Sequence, residues 1–434
     1  MAATNSDNFA TLSLSDRFVQ IINGKASQTE KNRHGINPAN LRAKAEVPIA
    51  TRGDLDLAVA AAKDAFKGWS KVPYEDRKKA VLAYADAVDS YRTQFRDLLI
   101  SEQGKPIPQA DAETDAAISW IRGMANIPLP EDVVEDNDHR TIITRYAPLG
   151  VVGAIVPWNF PLLLATGKIA PALLTGNVII VKPSPFTPYC GLKLSLSGDD
   201  DLGPWLTSHP GIDKISFTGS TATGKLVMQS ASKTLKRVTL ELGGNDPAIV
   251  FPDVDVDKVA EKGYNLGDGS QPGVTHGPLQ NSMQYERVKT FFSDIESQGW
   301  KVAVGGSIEK SQGYFITPTI IDRPPEKSRL VVEEPFGPIV PLLSWSNEDE
   351  VISRANDTSM GLGASVWSNN LDKAARVARQ IQAGNVWINT HFDLSPLAPF
   401  GGHKESGIGT EWGANGLKGF CNVQTLFLNK QVVS

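Results

Sequence analysis

The sequence predicts an α/β fold in which helices cover both faces of a parallel sheet. Apolar, β-branched runs recur at 151–156, 177–182, 214–217 and 237–240, with helical or turn segments between them. Such alternation is typical of parallel sheets. A glycine-rich loop at 219–225 follows the third run and precedes a helical segment, as in many ligand-binding α/β proteins. With 434 residues, the chain is long enough for two or three domains.

Composition narrows the classes of function. Apolar residues make up 41%, charged residues 21%, and the formal net charge is -5, which argues against disorder and predicts no nucleic-acid partner. Cys190 and Cys421 form neither a disulfide framework nor a metal-ligand pattern, so we expect no metal and a reducing, cytoplasmic location. The uncharged stretch 146–167 contains Pro157 and Pro161, which favour a buried strand and turn over a membrane span.

The remaining elements follow in chain order. Residues 51–127 carry apolar side chains at one-face helical spacing, and 131–146 is predicted to be an exposed hairpin. After residue 246, strand-like and helical segments alternate again, which predicts a second α/β domain. Residues 422–428 are predicted to form a terminal strand without a neighbouring partner in sequence, and we expect its edge to pair with another subunit.

The glycine loop allows two interpretations. A strand that leads through glycines into a helix presents backbone N–H groups and a positive dipole end to an anion, such as a dinucleotide pyrophosphate. The spacing also fits most of the P-loop motif G-x-x-x-x-G-K. Leu226, however, occupies the position where that motif needs a Ser or Thr hydroxyl. A P-loop hydrolase is therefore the minor alternative.

Six further segments carry a resemblance to a known family: Pro-Trp-Asn-Phe-Pro at 157–161, Lys-Pro-Ser at 182–184, Phe-Thr-Gly-Ser at 217–220, Glu-Leu-Gly-Gly at 241–244, Glu-Glu-Pro-Phe-Gly-Pro at 333–338, and Pro-Phe-Gly-Gly-His-Lys-Glu-Ser-Gly at 399–407. Together they closely resemble the aldehyde dehydrogenase superfamily over nearly the whole chain. The resemblance implies oxidation of a small aldehyde to a carboxylic acid with NAD or NADP.

The resemblance also implies a domain plan. A Rossmann-like NAD(P)-binding domain is expected over 1–130 and 147–240, and an α/β catalytic domain over 241–420. A small β oligomerisation arm is expected from 131–146 and 421–434. It implies a homo-oligomer, a dimer or a tetramer.

Site residues follow from the same resemblance. Asn159 is similar to the asparagine that stabilises the developing oxyanion, and Glu241 to the general base that activates water. The implied cofactor-binding residues are Pro157, Trp158, Asn159, Lys182, Ser184, Gly219, Ser220, Gly224, Leu242, Gly243, Glu334 and Phe336. Pro185 stands where NAD-preferring members often have a glutamate, so the choice between NAD and NADP stays open.

The chain departs from the family pattern at the nucleophile. The family has a segment with the nucleophilic cysteine between the counterparts of 257–262 and 267–272, whereas here only residues 263–266 join them. Cys190 and Cys421 are both predicted to be structural. Because the thiolate normally forms the covalent intermediate, the alternative function is a nucleotide-binding or assembly protein without turnover. A misjoined gene model or splice form and an old inactive paralogue both stay open as origins.

A second shortening lies near residues 190–200. Leu192, Leu194 and Leu196 alternate as in a strand, but only residues 184–190 separate them from the preceding strand. A crossover between parallel strands usually needs roughly a dozen residues. We therefore expect the cofactor sheet to be distorted or to lack a strand here.

Overall fold

A central five-stranded sheet organises the chain. The computed structural model describes residues 18–192, 198, 201–260, 263–308 and 310–431. The strands are β1 (Gln20–Ile22), β2 (Lys25–Ser27), β3 (Asn32–Ile36), β4 (Ala43–Pro48), β5 (Asp132–Asp136), β6 (Arg140–Pro148), β7 (Val151–Ile155), β8 (Val178–Lys182), β9 (Lys214–Thr218), β10 (Arg237–Glu241), β11 (Ala248–Val250), β12 (Lys301–Val304), β13 (Thr319–Asp322), β14 (Ile339–Leu342), β15 (Gly363–Trp367), β16 (Asn385–Ile388), β17 (Gly407–Ile408) and β18 (Cys421–Asn429).

Helices fill most of the intervals between these strands. They are α1 (Arg52–Trp69), α2 (Tyr74–Ser90), α3 (Arg92–Gln103), α4 (Ile107–Ala125), α5 (Pro161–Leu174), α6 (Pro188–Leu192), α7 (Leu202–Ser208), α8 (Thr221–Ser232), α9 (Val256–Val259), α10 (Ser282–Gln298), α11 (Arg329–Val332), α12 (Glu348–Asn356), α13 (Leu371–Ala378) and α14 (Gly413–Lys418). The helical region predicted over 51–127 is confirmed as α1 to α4. Among the described residues, no helix combines the length and apolarity needed to cross a bilayer.

The predicted parallel sheet, covered on both faces, is confirmed. Its order is β17-β10-β9-β7-β8, with β10, β9, β7 and β8 parallel and the short β17 antiparallel at one edge. One face packs against α2 to α5 and the other against α1, α7 and α8. Burial on both faces explains why these strands are nearly continuous apolar runs rather than alternating ones.

The region after residue 246 forms two smaller sheets. β11, β15 and β16 are parallel in that order, while β12, β13 and β14 form the second sheet. Each sheet has its own buried apolar cluster, around Val366 in the first and Phe291 in the second. Within the described residues, β11 and β14 each pair on one side only.

The hairpin predicted at 131–146 is confirmed as β5 and β6, and the predicted terminal strand is confirmed as β18, which has no partner near it in sequence. β18 pairs antiparallel with β6 over all nine of its residues, from Cys421 opposite Pro148 to Asn429 opposite Arg140. Its sheet partner therefore lies in its own chain, far away in sequence.

The strand-like interpretation of Leu192 was wrong, because this residue ends the short helix α6. The buried carboxylate of Glu102 accepts hydrogen bonds from the backbone N–H groups of Tyr189 and Cys190 at 2.7 and 2.9 Å, which stabilises the first turn of α6. Leu194 and Leu196 lie outside the described residues. In the part of the chain that is described, β8 is the other edge of the central sheet.

A first prediction concerns Gly407, which lets β17 dock beside β10. A Cβ at this position would overlap the backbone carbonyl of Leu240. We expect Gly407→Ala to destabilise the protein by about 2 kcal/mol or more, because two backbones must separate. Differential scanning calorimetry measures the change. Gly53, in the open first turn of α1, is the control position, and Gly53→Ala should be neutral or slightly stabilising. Equal effects of the two variants would contradict the requirement for glycine between β17 and β10.

Candidate active site

The carboxyl edge of the central sheet gathers the predicted site residues. β7 leads into the turn with Asn159, β9 into the loop at Gly219, and β10 ends at Glu241. Glu241 is in register with Thr218 on β9, and β7 flanks β9 on its other side. Because neighbouring strands lie about 4.8 Å apart, β7 and β10 are separated by about 10 Å, and Asn159 lies in the turn that follows β7. This edge is where open α/β sheets bind ligands.

Glu241 has the environment of a base that works near neutral pH. Its side chain is half-buried, and its Oε2 accepts a hydrogen bond of 2.9 Å from the Thr218 hydroxyl. Burial, together with the nearby Glu411 carboxylate, raises the pKa of Glu241 to about 7. General bases are most effective when their pKa lies near the operating pH.

A buried polar network that we did not predict from the sequence lies beneath Glu241. Lys168, on the otherwise apolar α5, is fully buried, and its ammonium group pairs with Glu411. The same group donates to Ser216 at 3.1 Å and to Thr218 at 2.9 Å. Ser216 also donates to Glu411 at 2.9 Å. A continuous chain of hydrogen bonds therefore connects Glu241 through Thr218 to the Lys168–Glu411 pair.

The segment at 399–407 fixes the backbone that follows Glu241. Leu242 donates its N–H to the carbonyl of Ser406 at 2.9 Å. The Ser406 hydroxyl donates to the carbonyl of Gly243 at 2.5 Å and accepts from the N–H of Gly361 at 2.8 Å. This motif therefore positions Glu241 through its neighbours, rather than contributing a reacting group.

Asn159 lies in the turn between β7 and α5, and a buried ion pair holds that turn. Glu113 accepts hydrogen bonds from two backbone N–H groups in the first turn of α5, at 3.0 and 3.2 Å. Lys105 pairs with Glu113, and its Nζ lies 3.6 Å from the ring centroid of Phe160. The amide oxygen of Asn159 is buried without a hydrogen-bond partner in the described structure. An unpaired buried amide is costly unless a ligand or water completes it.

The start of α8 has the features of an anion-binding helix N-terminus. A Cβ at Gly219 would lie 2.6 Å from the Phe217 ring, so only glycine lets the loop turn this closely. Ser220 is the N-cap of α8 and accepts from the Thr223 N–H at 3.3 Å, and its surroundings are exposed. These features suit a phosphate at the positive end of the helix dipole. Gly224 lies within α8, where a Cβ would overlap Leu242, so it permits close helix packing.

Lys182 and Ser184 lie at the same edge, at the end of β8. Both side chains are buried. The Ser184 hydroxyl accepts from the Phe186 N–H at 3.2 Å, which shapes the turn after the strand. Since β8 neighbours β7, the segment at the end of β8 and the Asn159 turn, which follows β7, lie at the ends of adjacent strands.

Glu334 and Phe336 approach from the second region of the chain. The Phe336 ring meets Trp158 edge to face, with centroids 5.2 Å apart. Its φ of 49° is unfavourable for an aromatic residue, and Gln284 stabilises it by donating to the Phe336 carbonyl at 3.0 Å. Glu334 packs against Gly243, and burial raises the pKa of Glu334 to about 7. Pro157 and Trp158 are both half-buried.

Neither cysteine has the properties of a nucleophile. Cys190 is fully buried on α6, and burial raises its pKa well above the ordinary value. Cys421 is buried at the start of β18, and burial raises its pKa to about 12. A reactive cysteine is a thiolate with access to its substrate. Both sulfurs are therefore inert thiols in this fold.

Comparisons with known proteins identify the family. The model of the aldehyde dehydrogenase family matches residues 25–265 and 261–426. A putative aldehyde dehydrogenase of Gibberella fujikuroi is 39% identical over 465 residues, which cover 96% of this chain and 99% of the relative. The chain belongs to the aldehyde dehydrogenase family.

Solved aldehyde dehydrogenases share the whole fold. The NAD+ complex of an aldehyde dehydrogenase from Bacillus cereus has a TM-score of 0.91 at 31% identity, over 96% of this chain and 98% of that chain. A betaine aldehyde dehydrogenase from Staphylococcus aureus in complex with NAD+ has a TM-score of 0.92 at 29% identity, over 97% and 96%.

The aldehyde dehydrogenase match is interrupted where the sequence departs from the family pattern. Its two segments meet at residues 261–265. The alignment to the Gibberella relative spans more positions than this chain has residues, so it contains gaps on the side of this chain. At this junction α9 ends at Val259, and the described chain resumes at Gly263; residues 261 and 262 lie outside the described residues.

The buried pair under Glu241 gives a second prediction. Lys168→Met leaves the Glu411 carboxylate buried without its cation, and we expect this variant to lose about 3–5 kcal/mol of unfolding free energy. The double variant Lys168→Met/Glu411→Leu removes both charges and should regain most of that loss. Denaturant melts of the two variants and the parent chain measure the coupling. A double variant no more stable than Lys168→Met would contradict the pairing.

Proposed function

We propose that this chain carries an active site for the NAD(P)-dependent oxidation of small aldehydes to carboxylic acids. The observation that supports the proposal is the order of the strands: Glu241 ends β10, Asn159 lies in the turn that follows β7, and β9 between them leads to the start of α8. In this arrangement Asn159 stabilises negative charge on the aldehyde oxygen. Glu241, whose pKa burial raises to about 7, accepts a proton from water.

The residues present fit a dinucleotide. Gly219, Ser220 and the start of α8 would hold the pyrophosphate, with Lys182 and Ser184 near the adenosine ribose. Glu334 would hydrogen-bond the nicotinamide ribose. The rest of the dinucleotide site would consist of Pro157, Trp158, Leu242, Gly243, Phe336 and the space beside Gly224. When bound, NAD(P)+ supplies the hydride acceptor. Pro185 at the end of β8 leaves both NAD and NADP as candidates.

A second candidate function is favoured by the two cysteines. Both thiols are buried and have raised pKa values, so no described sulfur is available to form the covalent intermediate. The alternative is a protein that binds the dinucleotide, or assembles with other subunits, without oxidising aldehydes.

We also propose assembly into a homo-oligomer, a dimer or a tetramer, through the sheet of β18, β6 and β5. Val423 and Phe427 on β18 are 67% and 70% exposed, and an apolar strand this open is a typical interface between subunits. We propose a cytoplasmic location as well, which agrees with two free thiols.

Cofactor binding gives a third prediction. NADH fluorescence titration should show saturable binding, and Glu334→Ala should weaken it about tenfold, because a hydrogen bond to a charged group is lost. Glu333→Ala is the matched control, since Glu333 is an exposed neighbour that pairs with Arg329. An equal loss in both variants would contradict the role of Glu334.

Turnover separates the two candidate functions. Purified protein is mixed with a short aldehyde and NAD+ or NADP+, and absorbance at the reduced nicotinamide band is followed. The first candidate gives aldehyde-dependent formation of the reduced cofactor. The second gives NADH binding without any such formation.

A further inference from the structure

An exposed Asn-Gly pair forms the turn between β1 and β2. We propose that Asn23 and Gly24 are a site of spontaneous deamidation, which converts the turn to aspartate and isoaspartate, and that the isoaspartate product separates β1 from β2. This chemistry lies in the amino-terminal hairpin and does not depend on the proposed function. Water is its only co-reactant.

The connection between the two strands has the geometry that favours this dipeptide. Ile22 lies opposite Lys25 in the antiparallel register, so only Asn23 and Gly24 lie between the paired strands. Their φ values are 52° and 70°. Two positive φ values are the pattern of a type I′ turn, in which Asn-Gly is a preferred pair. The hairpin therefore selects the same dipeptide that cyclises most readily.

The two reacting groups of the turn are free. Asn23 and Gly24 are both exposed to solvent. Among the described residues, none forms a hydrogen bond with the Asn23 side chain or with the Gly24 N–H. Gly24 has no side chain that would shield its backbone nitrogen. Neither Cγ of Asn23 nor the Gly24 nitrogen has to leave another partner before the two atoms meet.

The hairpin is also able to open locally. Within the described residues, β1 and β2 pair only with each other, through three residue pairs. A two-stranded hairpin is marginally stable without outside support. Ile22 packs on the apolar cluster that contains Leu55 and Val59 of α1, but the buried amide of Gln20 lacks a hydrogen-bond partner in the described structure. Because an unpaired buried amide opposes folding, the turn can rearrange at little cost.

The reaction is balanced in atoms and charge. The Gly24 nitrogen gives its proton to hydroxide and bonds to Cγ of Asn23, and the side-chain amide group leaves as ammonia after it takes a proton from water. The product is a five-membered succinimide. Water then opens the ring. Attack at the side-chain carbonyl gives aspartate, whereas attack at the main-chain carbonyl gives isoaspartate, in which the chain continues through the side-chain carbon. One water is gained, one ammonia is lost, and no electrons are transferred.

A second Asn-Gly pair in the chain provides an internal comparison. Asn415 and Gly416 lie inside α14. The Gly416 N–H donates to the carbonyl of Trp412 at 2.8 Å, and a Cβ at Gly416 would lie 2.7 Å from the carbonyl carbon of Glu411. The Gly416 nitrogen is therefore engaged and closely packed. It reaches Cγ of Asn415 only if the helix opens.

The two products have different effects on the hairpin. Aspartate keeps the ordinary main chain, and Asp-Gly also fits a type I′ turn. Isoaspartate inserts one extra carbon into the main chain between Ile22 and Lys25. Because the register of a hairpin is set by the turn type and the loop length, the isoaspartate form loses the pairing of β1 with β2.

Labelling of this turn is the fourth prediction. The purified protein is incubated at 37 °C and neutral pH in 18O-labelled water, digested in unlabelled water, and its peptides are measured by mass spectrometry. Ring opening places one labelled oxygen in each product. We expect the Asn23 peptide to take up label at least about ten times faster than the Asn415 peptide, because the helical hydrogen bond of Gly416 must break first.

Asn23→Gly is the matched variant. Gly-Gly also supports a type I′ turn, and it carries no side-chain amide. The turn peptide of this variant should take up no label, while labelling at Asn415 stays as in the parent chain. Equal uptake by the two Asn-Gly peptides of the folded parent chain, no uptake at Asn23, or labelling of the turn in Asn23→Gly would each overturn the proposed site.

Hydrogen exchange distinguishes separation of the strands from the effect of an added charge. The isoaspartate form is purified by chromatography from incubated protein, and freshly prepared Asn23→Asp carries the same charge on an ordinary main chain. We expect the backbone N–H groups of β1 and β2 to exchange at least about tenfold faster in the isoaspartate form than in Asn23→Asp, because pairing protects them. Equal exchange in the two proteins would overturn the separation of β1 from β2.

Discussion

The pairing of Lys168 with Glu411 is the interaction on which the site depends. A charge on an apolar helix inside the protein is tolerated only when a counter-charge and hydrogen bonds satisfy it. Lys168 meets this requirement by contacting β9 and Glu411 at once. It thereby joins α5, which begins at the Asn159 turn, to the strand beside Glu241. The helix that follows the Asn159 turn and the strand beside Glu241 are therefore connected through one buried cation.

The sequence was most informative where a local pattern determines the structure. Apolar runs predicted the central strands, and the glycine loop predicted the start of α8. Glu241 and Asn159 were predicted as site residues because each lies in a recognisable short segment, and their roles stay predictions. Lys168 could have been noticed as the charged residue of an apolar helix, but Glu411 lies 243 residues away and no local signal connects them. The Lys105–Glu113 pair was missed because its role depends on Phe160, which only folding brings near.

Long-range pairing also explains the errors. The terminal strand was predicted to lack a partner near it in sequence, and the pattern could not identify β6, which is far away. Leu192 was assigned to a strand because leucines alternate from 192 to 196, but the hydrogen bonds from Tyr189 and Cys190 to Glu102 stabilise a short helix there. The sheets β1–β2 and β3–β4 were not predicted, because their strands are short and carry no clear apolar alternation. Domain limits and cofactor contacts stay predictions.

The central claim is that burial and the Lys168–Glu411 network prepare Glu241 to exchange a proton near neutral pH. Infrared difference spectra between the parent chain and Glu241→Gln, recorded over a pH series, isolate the carboxyl band of this one residue. The account predicts that the band changes from protonated to ionised with a midpoint at about pH 7. A midpoint near 4.3, the ordinary value for glutamate, would contradict it.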